Sequence, residues 1–407
     1  MLKDLPFSIM EYAERIQKTK KKMMEQGMEV LLLTDPANMN YLSGYDGWSF
    51  YVPQLVVIIL EEEQPLWIGR KQDANGAKLT VWFQLDRILA YPEELIHANL
   101  DHPMDYVAYI LQEIGHGSRR IGVEMDAYYF TARSFISLQR GLPNARFIDA
   151  SLLVNRVRMI KSNQEIEYMK QAGRIAERAM RIAMDTIAVG VRECDVAAAI
   201  SHAQISGLAE YGGDYPAIVP LLPAGEKSCT PHLTWTDRRY RVDEVIIVEL
   251  AGCYRHYHTP LARTAVIGMP DPKVRELAEV VSEGLQAVLD TIVPGVTCAE
   301  MSQAWSRVIK RWGYEKDSRL GYSVGLNYPP DWGEHTASIR AGDQTVLQPN
   351  MTFHLIPGMW LDDYGVEFSE TFRVTEKGYE LFSTSPRELI QRPSIPNMVP
   401  PLEENGA

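Results

Sequence analysis

With 407 residues, 46% of them apolar and 23% charged, the chain has the size and composition of two packed domains, each with its own core. A formal charge of −12 argues against a nucleic-acid binder, because the one dense basic run, Lys18 to Lys22, reads as the solvated face of a helix. Cys194, Cys229, Cys253 and Cys298 form no CxxC pair and read as free thiols in a reducing compartment.

The stretch "MLKDLPFSIMEYAERIQKTKKK" has no apolar h-region with a small-residue cleavage site, and no segment reaches the ~20 apolar residues of a membrane span. The expectation is a cytoplasmic protein without a membrane partner. A helix is predicted from Met10 to Gln26, then a buried strand in "MEVLLLTD". "LVVIIL" and "PLWIG" read as a hairpin around Glu61-Glu62-Glu63, and "IGVEMD" as a further inner strand. This alternation makes residues 1–155 an α/β domain. Within it, "GYDGWSFY" leaves Trp48 and Phe50 exposed, either at a subunit interface or against substrate.

Residues 156–386 form a second domain. Ser162 or Asn163 caps a helix with Glu165 in its first turn, and Ile166, Met169, Ala172, Ile175 and Ala179 repeat at helical spacing. A second helix runs from Glu193 to Leu208, and two more lie between Pro272 and Trp312, parted by "VPGVT". Strands are expected in "VDEVIIVELAG", "HTPLARTAVIG", "MTFHLIPG" and "VEFSETFRVT". The order is helix pair, strands, helix pair, strands. Residues 387–407, with Pro393, Pro396, Pro400 and Pro401, are expected to form an extended arm, one that could lie across a partner subunit.

Five segments occur together in order: "RMIKSNQEIEYMKQA", "VIIVELAGCYRHYHTPLARTAVIG", "GYSVGLNYPP", "LQPNMTFHLIPG" and "GVEFSETFRVTEKGYEL". In this they resemble the creatinase, prolidase and methionine aminopeptidase superfamily. The resemblance implies an α+β chain, with a C-terminal pita-bread domain behind an N-terminal α/β domain of the creatinase type. Metal-dependent members hold two cations on two aspartates, a histidine and two glutamates. Those positions fall here on Glu249, Pro260, Tyr322, Ile356 and Ser369, with Arg263-Thr264 fixing the register. Proline and isoleucine side chains cannot ligate, and neutral tyrosine and serine are poor replacements. No metal and no other cofactor is therefore expected.

The stretches "SGYDGWSFYVPQ", "YPAIVPLLPAGEKSCTPHLTW" and "GYSVGLNYPPDWGE" are similar to the metal-free ectoine-hydrolase branch of that superfamily. The resemblance implies a hydrolase of C–N bonds, a homodimer, that opens the cyclic amidine ectoine, and hydroxyectoine, to N-acetyl-L-2,4-diaminobutyrate. Its partner would be a small zwitterionic substrate. A creatinase-type amidinohydrolase on a guanidino acid and a non-catalytic pita-bread binding module stand as alternatives.

The catalytic candidates are Glu249, as nucleophile or base, His232 as its proton-handling partner, and then His354 and Tyr322. Trp48, Tyr51, Tyr215, Glu367 and Glu370 are the substrate-binding candidates. An amidinium calls for carboxylates and aromatic faces. Arg255 or Arg263 would pair Glu249 if its role were structural, and Glu367 and Glu370 could equally be ion-paired strand ends. His256 and His258 share a strand face without a third ligand at metal spacing, and read as lining the cleft.

Overall fold

The apolar run Val30–Leu33 becomes an inner strand in the computed structural model, which describes residues 5–394. The chain divides between Arg158 and Met159 into two units. The first contains α1 (Ile9–Glu25), β1 (Val30–Leu33), α2 (Pro36–Ser43), β2 (Leu55–Ile59), β3 (Leu66–Arg70), α3 (Ala74–Thr80), β4 (Ile88–Tyr91), α4 (Pro103–Glu113), β5 (Arg120–Val123), α5 (Ala132–Gly141), β6 (Arg146–Asp149) and α6 (Leu153–Val157). Its sheet runs β4-β3-β2-β1-β5-β6, with β1 antiparallel to β2 and parallel to β5. The predicted hairpin is the antiparallel pair β2–β3. Ser8 caps α1, whose Tyr12, Ile16 and Met23 are buried. The basic run is not wholly solvated, because Lys20 is buried and donates to the Glu62 carbonyl.

The second unit contains α7 (Asn163–Thr186), α8 (Glu193–Ser206), β7 (Val245–Tyr254), β8 (Tyr257–Ile267), α9 (Pro272–Leu289), α10 (Cys298–Arg311), β9 (Gly321–Val324), β10 (Gly333–Ser338), β11 (Thr352–Leu355), β12 (Met359–Trp360), β13 (Gly365–Val366), β14 (Glu370–Val374), β15 (Tyr379–Leu381) and β16 (Ile390–Arg392). Ser162 caps α7, and Glu165 closes the capping box. Helices α7 and α8 bury their apolar faces on the long hairpin β7–β8. The approach is close: a Cβ on Gly252 of β7 would lie 1.9 Å from the Ala172 carbonyl of α7. Helices α9 and α10 cover the sheet β10-β9-β11-β14-β15 around Trp305, Phe353 and Phe372.

Two expectations change here. "VEFSETFRVT" is not one strand, since β13 stops at Val366 and β14 starts at Glu370. Residues 367–369 turn instead to β8: the Glu367 N–H donates to Thr264 Oγ1 at 2.8 Å and the Ser369 N–H to the Ala262 carbonyl at 3.1 Å. The C-terminal arm begins as an edge strand, because β16 pairs in parallel with Ala265–Ile267 of β8. Pro396, Pro400 and Pro401 lie outside the described residues.

Candidate active site

Strand parity decides which side chains meet. In the β7–β8 ladder Glu249 faces Ala262, Ala251 faces Pro260 and Cys253 faces His258, so these six side chains share one face. Arg263 faces Val248 on the other. There its buried guanidinium binds Glu370 at 2.7 Å and the carbonyls of Ala262, Ser369, Ser385 and Pro386. Arg263 therefore does not neutralise Glu249, and Glu370 is the ion-paired strand end rather than a substrate ligand. The Glu249 carboxyl, 4% exposed, accepts no hydrogen bond among the described residues. Burial, with the nearby charge of Asp331, pushes it up to about 8.

The antiparallel register of β11 with β9 sets His354 opposite Tyr322. His354 Nδ1 lies 3.2 Å from the Tyr322 hydroxyl, and Nε2 lies 2.8 Å from Ser369 Oγ. Hydrogens here are assigned by counting donors. Ser369 Oγ accepts the Ala262 N–H at 2.7 Å and keeps a second lone pair, so two arrangements satisfy the chain: Ser369 donates to Nε2 and Nδ1–H to Tyr322, or Nε2–H donates to Ser369 and the phenol to Nδ1. The Tyr322 oxygen also accepts the Trp332 indole N–H at 2.7 Å. With Nδ1–H toward Tyr322, two donors fill its lone pairs and the phenol retains one hydrogen to give; in the other arrangement that hydrogen lies on the bond to Nδ1. Burial first, then the Glu249 charge, hold that phenol well above its usual value. Burial holds His354 at about 3, hence neutral. Tyr322 and Ser369, two of the five positions expected to match metal ligands, are thus tied together through His354.

Further polar groups gather around this chain. Asp331 accepts the Gly333 N–H at 2.9 Å and lies 2.6 Å from His335 Nε2. Burial raises its pKa, but those two partners bring it below the ordinary carboxylate value. His258 Nε2 accepts the Ala217 N–H at 2.8 Å, which fixes the Nδ1–H tautomer, and burial lowers it to about 3. His256 stacks on Tyr328 at 4.3 Å and packs beside the half-buried Tyr215 at 5.1 Å. The sequence offered no third donor beside His256. The fold supplies two, since donor atoms of Asp214, Cys253 and His256 lie within 4.8 Å of one another. The Asp214 carboxylate there accepts the His256 backbone N–H at 3.2 Å.

Glu367 is fully buried, and both its carboxylate oxygens lack a partner among the described residues. His232 makes no hydrogen bond to Glu249 among the described residues. It sits exposed on the loop after Cys229 with no hydrogen bond to the site among the described residues, and His354 is the imidazole built into the site. In the first unit Trp48 and Tyr51 are 55% and 63% exposed. Phe50, expected to be exposed, is buried between Trp48 and Tyr129 at 4.9 and 5.0 Å. Asp331 and Trp332 were missed. Their signal was their place in "GYSVGLNYPPDWGE", nine and ten residues beyond the tyrosine that stands for histidine.

The donors present do not fit two divalent cations. Glu249 is the one carboxylate among the five positions. The carbonyl of Pro260 accepts the Thr371 hydroxyl, and the Tyr322 and Ser369 hydroxyls are engaged by His354. The Ile356 side chain offers no donor atom.

Residues 167–376 match the model of metallopeptidase family M24, and residues 15–160 that of the creatinase/prolidase N-terminal domain. An uncharacterized hydrolase/peptidase of Sinorhizobium fredii, y4tM, is 45% identical over 95% of this chain and 98% of its own length. The ectoine hydrolase of Halomonas elongata is 43% identical over 95% of this chain and 98% of its own. Among solved structures, the dipeptidase PepE of Mycobacterium ulcerans superposes with a TM-score of 0.79 at 23% identity, covering 95% of this chain and 99% of that one.

Proposed function

We propose, for a chain that belongs to metallopeptidase family M24 and carries its pita-bread fold behind a creatinase/prolidase N-terminal domain, the hydrolysis of ectoine without a metal. It is a hydrolase of this family. The finer reading rests on one observation: four of the five metal-ligand positions hold no carboxylate or imidazole, and two of them are joined by His354 into a hydrogen-bonded chain ending on Tyr322. The 43% identity to an ectoine hydrolase supports the choice of substrate.

Ectoine carries a ring amidinium and one carboxylate. Glu249, unpartnered in its apolar strand, suits the cation, and the arriving positive charge favours the ionised carboxylate that chemistry needs. Water adds to the amidinium carbon, Glu249 taking its proton, or Glu249 itself attacks and water then releases the acyl group. With Nδ1–H toward the phenol, the Tyr322 hydrogen is aimed at the nitrogen that gains electron density as the tetrahedral centre forms. Collapse breaks one ring C–N bond and that nitrogen leaves as an amine: on the water route it takes the proton Glu249 held, and on the covalent route it takes the Tyr322 hydrogen, which the water that releases the acyl group returns. The other nitrogen keeps the acetyl group as an amide, giving an N-acetyl diaminobutyrate. Hydroxyectoine differs by one hydroxyl and fits the same chemistry. Four free cysteines suit a cytoplasmic setting.

The test is turnover by chelator-treated protein of ectoine, creatine and an Xaa-Pro dipeptide, followed by NMR. Loss of ectoine alone, with growth of an acetamide methyl signal, is expected. Turnover of creatine would make it an amidinohydrolase, and binding of ectoine without turnover a binding module.

A further inference from the structure

Beyond Glu249, the second unit sets two unsatisfied polar groups, on Glu367 and Trp360, beside the ammonium of Lys316. Glu367 is 0% exposed, with its backbone clamped to Thr264 and both side-chain oxygens without a donor among the described residues. The indole N–H of Trp360 is likewise buried without an acceptor among the described residues. Lys316 donates to the Gly358 carbonyl at 2.6 Å, and its ammonium stands 4.6 Å from the centre of the Trp360 ring. Gly358 closes the cluster. A Cβ there would lie 2.6 Å from Trp360 and 3.0 Å from Glu367 Cγ, so only glycine lets the three sit side by side.

The opposite charges of Lys316 and Glu367 do not close into an ion pair among the described residues, although separated charges in a buried wall are costly. Lys316 has three donors and uses one on Gly358. What stays open is an ammonium, an indole N–H and, beside them, a two-oxygen acceptor. That is the hydrogen-bonding complement of a small zwitterion.

We infer that Lys316, Trp360 and Glu367 form a zwitterion subsite, in which Lys316 and the Trp360 N–H hold the substrate carboxylate and Glu367 joins Glu249 on the cationic end. The inference rests on the reading of a zwitterionic substrate given above and assigns its orientation. Electrostatics agree with a site awaiting charge: burial lowers Lys316 to about 8 despite Glu367, and burial with the Glu249 charge drives Glu367 well above its ordinary value.

The experiment measures calorimetric affinity and turnover for ectoine and its carboxamide, which keeps the amidinium and removes the anion. Wild type, Lys316→Met and Trp360→Phe are compared. Wild type should favour ectoine over the carboxamide by about 100-fold. Lys316→Met should weaken ectoine about 10- to 100-fold in KM with kcat little changed, and bind the carboxamide as wild type does. Trp360→Phe, which removes one N–H and keeps the ring, should lose part of the preference. An undiminished preference for ectoine in both variants overturns the subsite. Should wild type bind ectoine without hydrolysing it, the proposed reaction fails while the ratio of affinities still decides the subsite. Binding of neither compound overturns both.

Discussion

Glu249 is asked to be a base or nucleophile from a place that favours its protonated form. Free enzyme with this group at about 8 must lose a proton before it can act. Accordingly, kcat/KM for ectoine should rise with pH from 6 and level off above about 8, while the midpoint for kcat lies lower because the bound cation stabilises the carboxylate. A pH profile of kcat/KM that is flat or falling over that range would contradict the role. Tyr322→Phe removes the phenol hydrogen, and should lower kcat about 100-fold with a small change in KM in steady-state assays. The expectation of a site without metal rests on residue type alone, because proline and isoleucine side chains cannot ligate. The contact of His354 with Tyr322 was not legible, since order along the chain carries no distance and the two meet only through the register of β11 with β9.

Elements explain which carboxylates are functional and which are structural. In "VEFSET" residues 367 and 369 turn toward the site, and 370 turns away to Arg263. Period-two parity could have separated Glu367 from Glu370. The interruption of the strand at residues 367–369 was less visible, because it depends on hydrogen bonds to β8, about a hundred residues earlier. Arg263→Met strands Glu370 in a dry environment and should cost about 3–5 kcal/mol in denaturant unfolding, with the Arg263→Met/Glu370→Met double variant recovering much of that. A single-variant loss under about 1 kcal/mol would mark the pair as no stronger than a surface bridge. Helices α1 and α7 to α10 were readable to within a few residues from their caps and periodicity, as at Ser162 and Glu165, whereas α2 to α6 were not read.

Across the whole molecule, the unsatisfied acids should appear as stability held back for function. A carboxyl whose folded pKa lies above its unfolded value contributes fully below about 4.3, and that contribution is lost as pH climbs through about 8. Glu249→Gln does not titrate, so its melting temperature should gain on wild type as pH rises from 5 to 9, in calorimetry without ligand. A difference that shrinks over that range would place the carboxylate elsewhere than in an apolar strand. The two-unit organisation was legible in sequence from the change to long helices after Val157. The joining of positions 322 and 369 through His354 was not, because it is made by β9, β11 and the non-strand segment between β13 and β14, which lie apart in sequence. The most direct measurement is turnover of ectoine by one chelator-treated sample whose metal content is determined alongside. Full activity at substoichiometric metal is expected; activity that vanishes with the metal and returns with added manganese, iron or zinc would contradict the replacement of two cations by one acid and a hydrogen-bonded tyrosine.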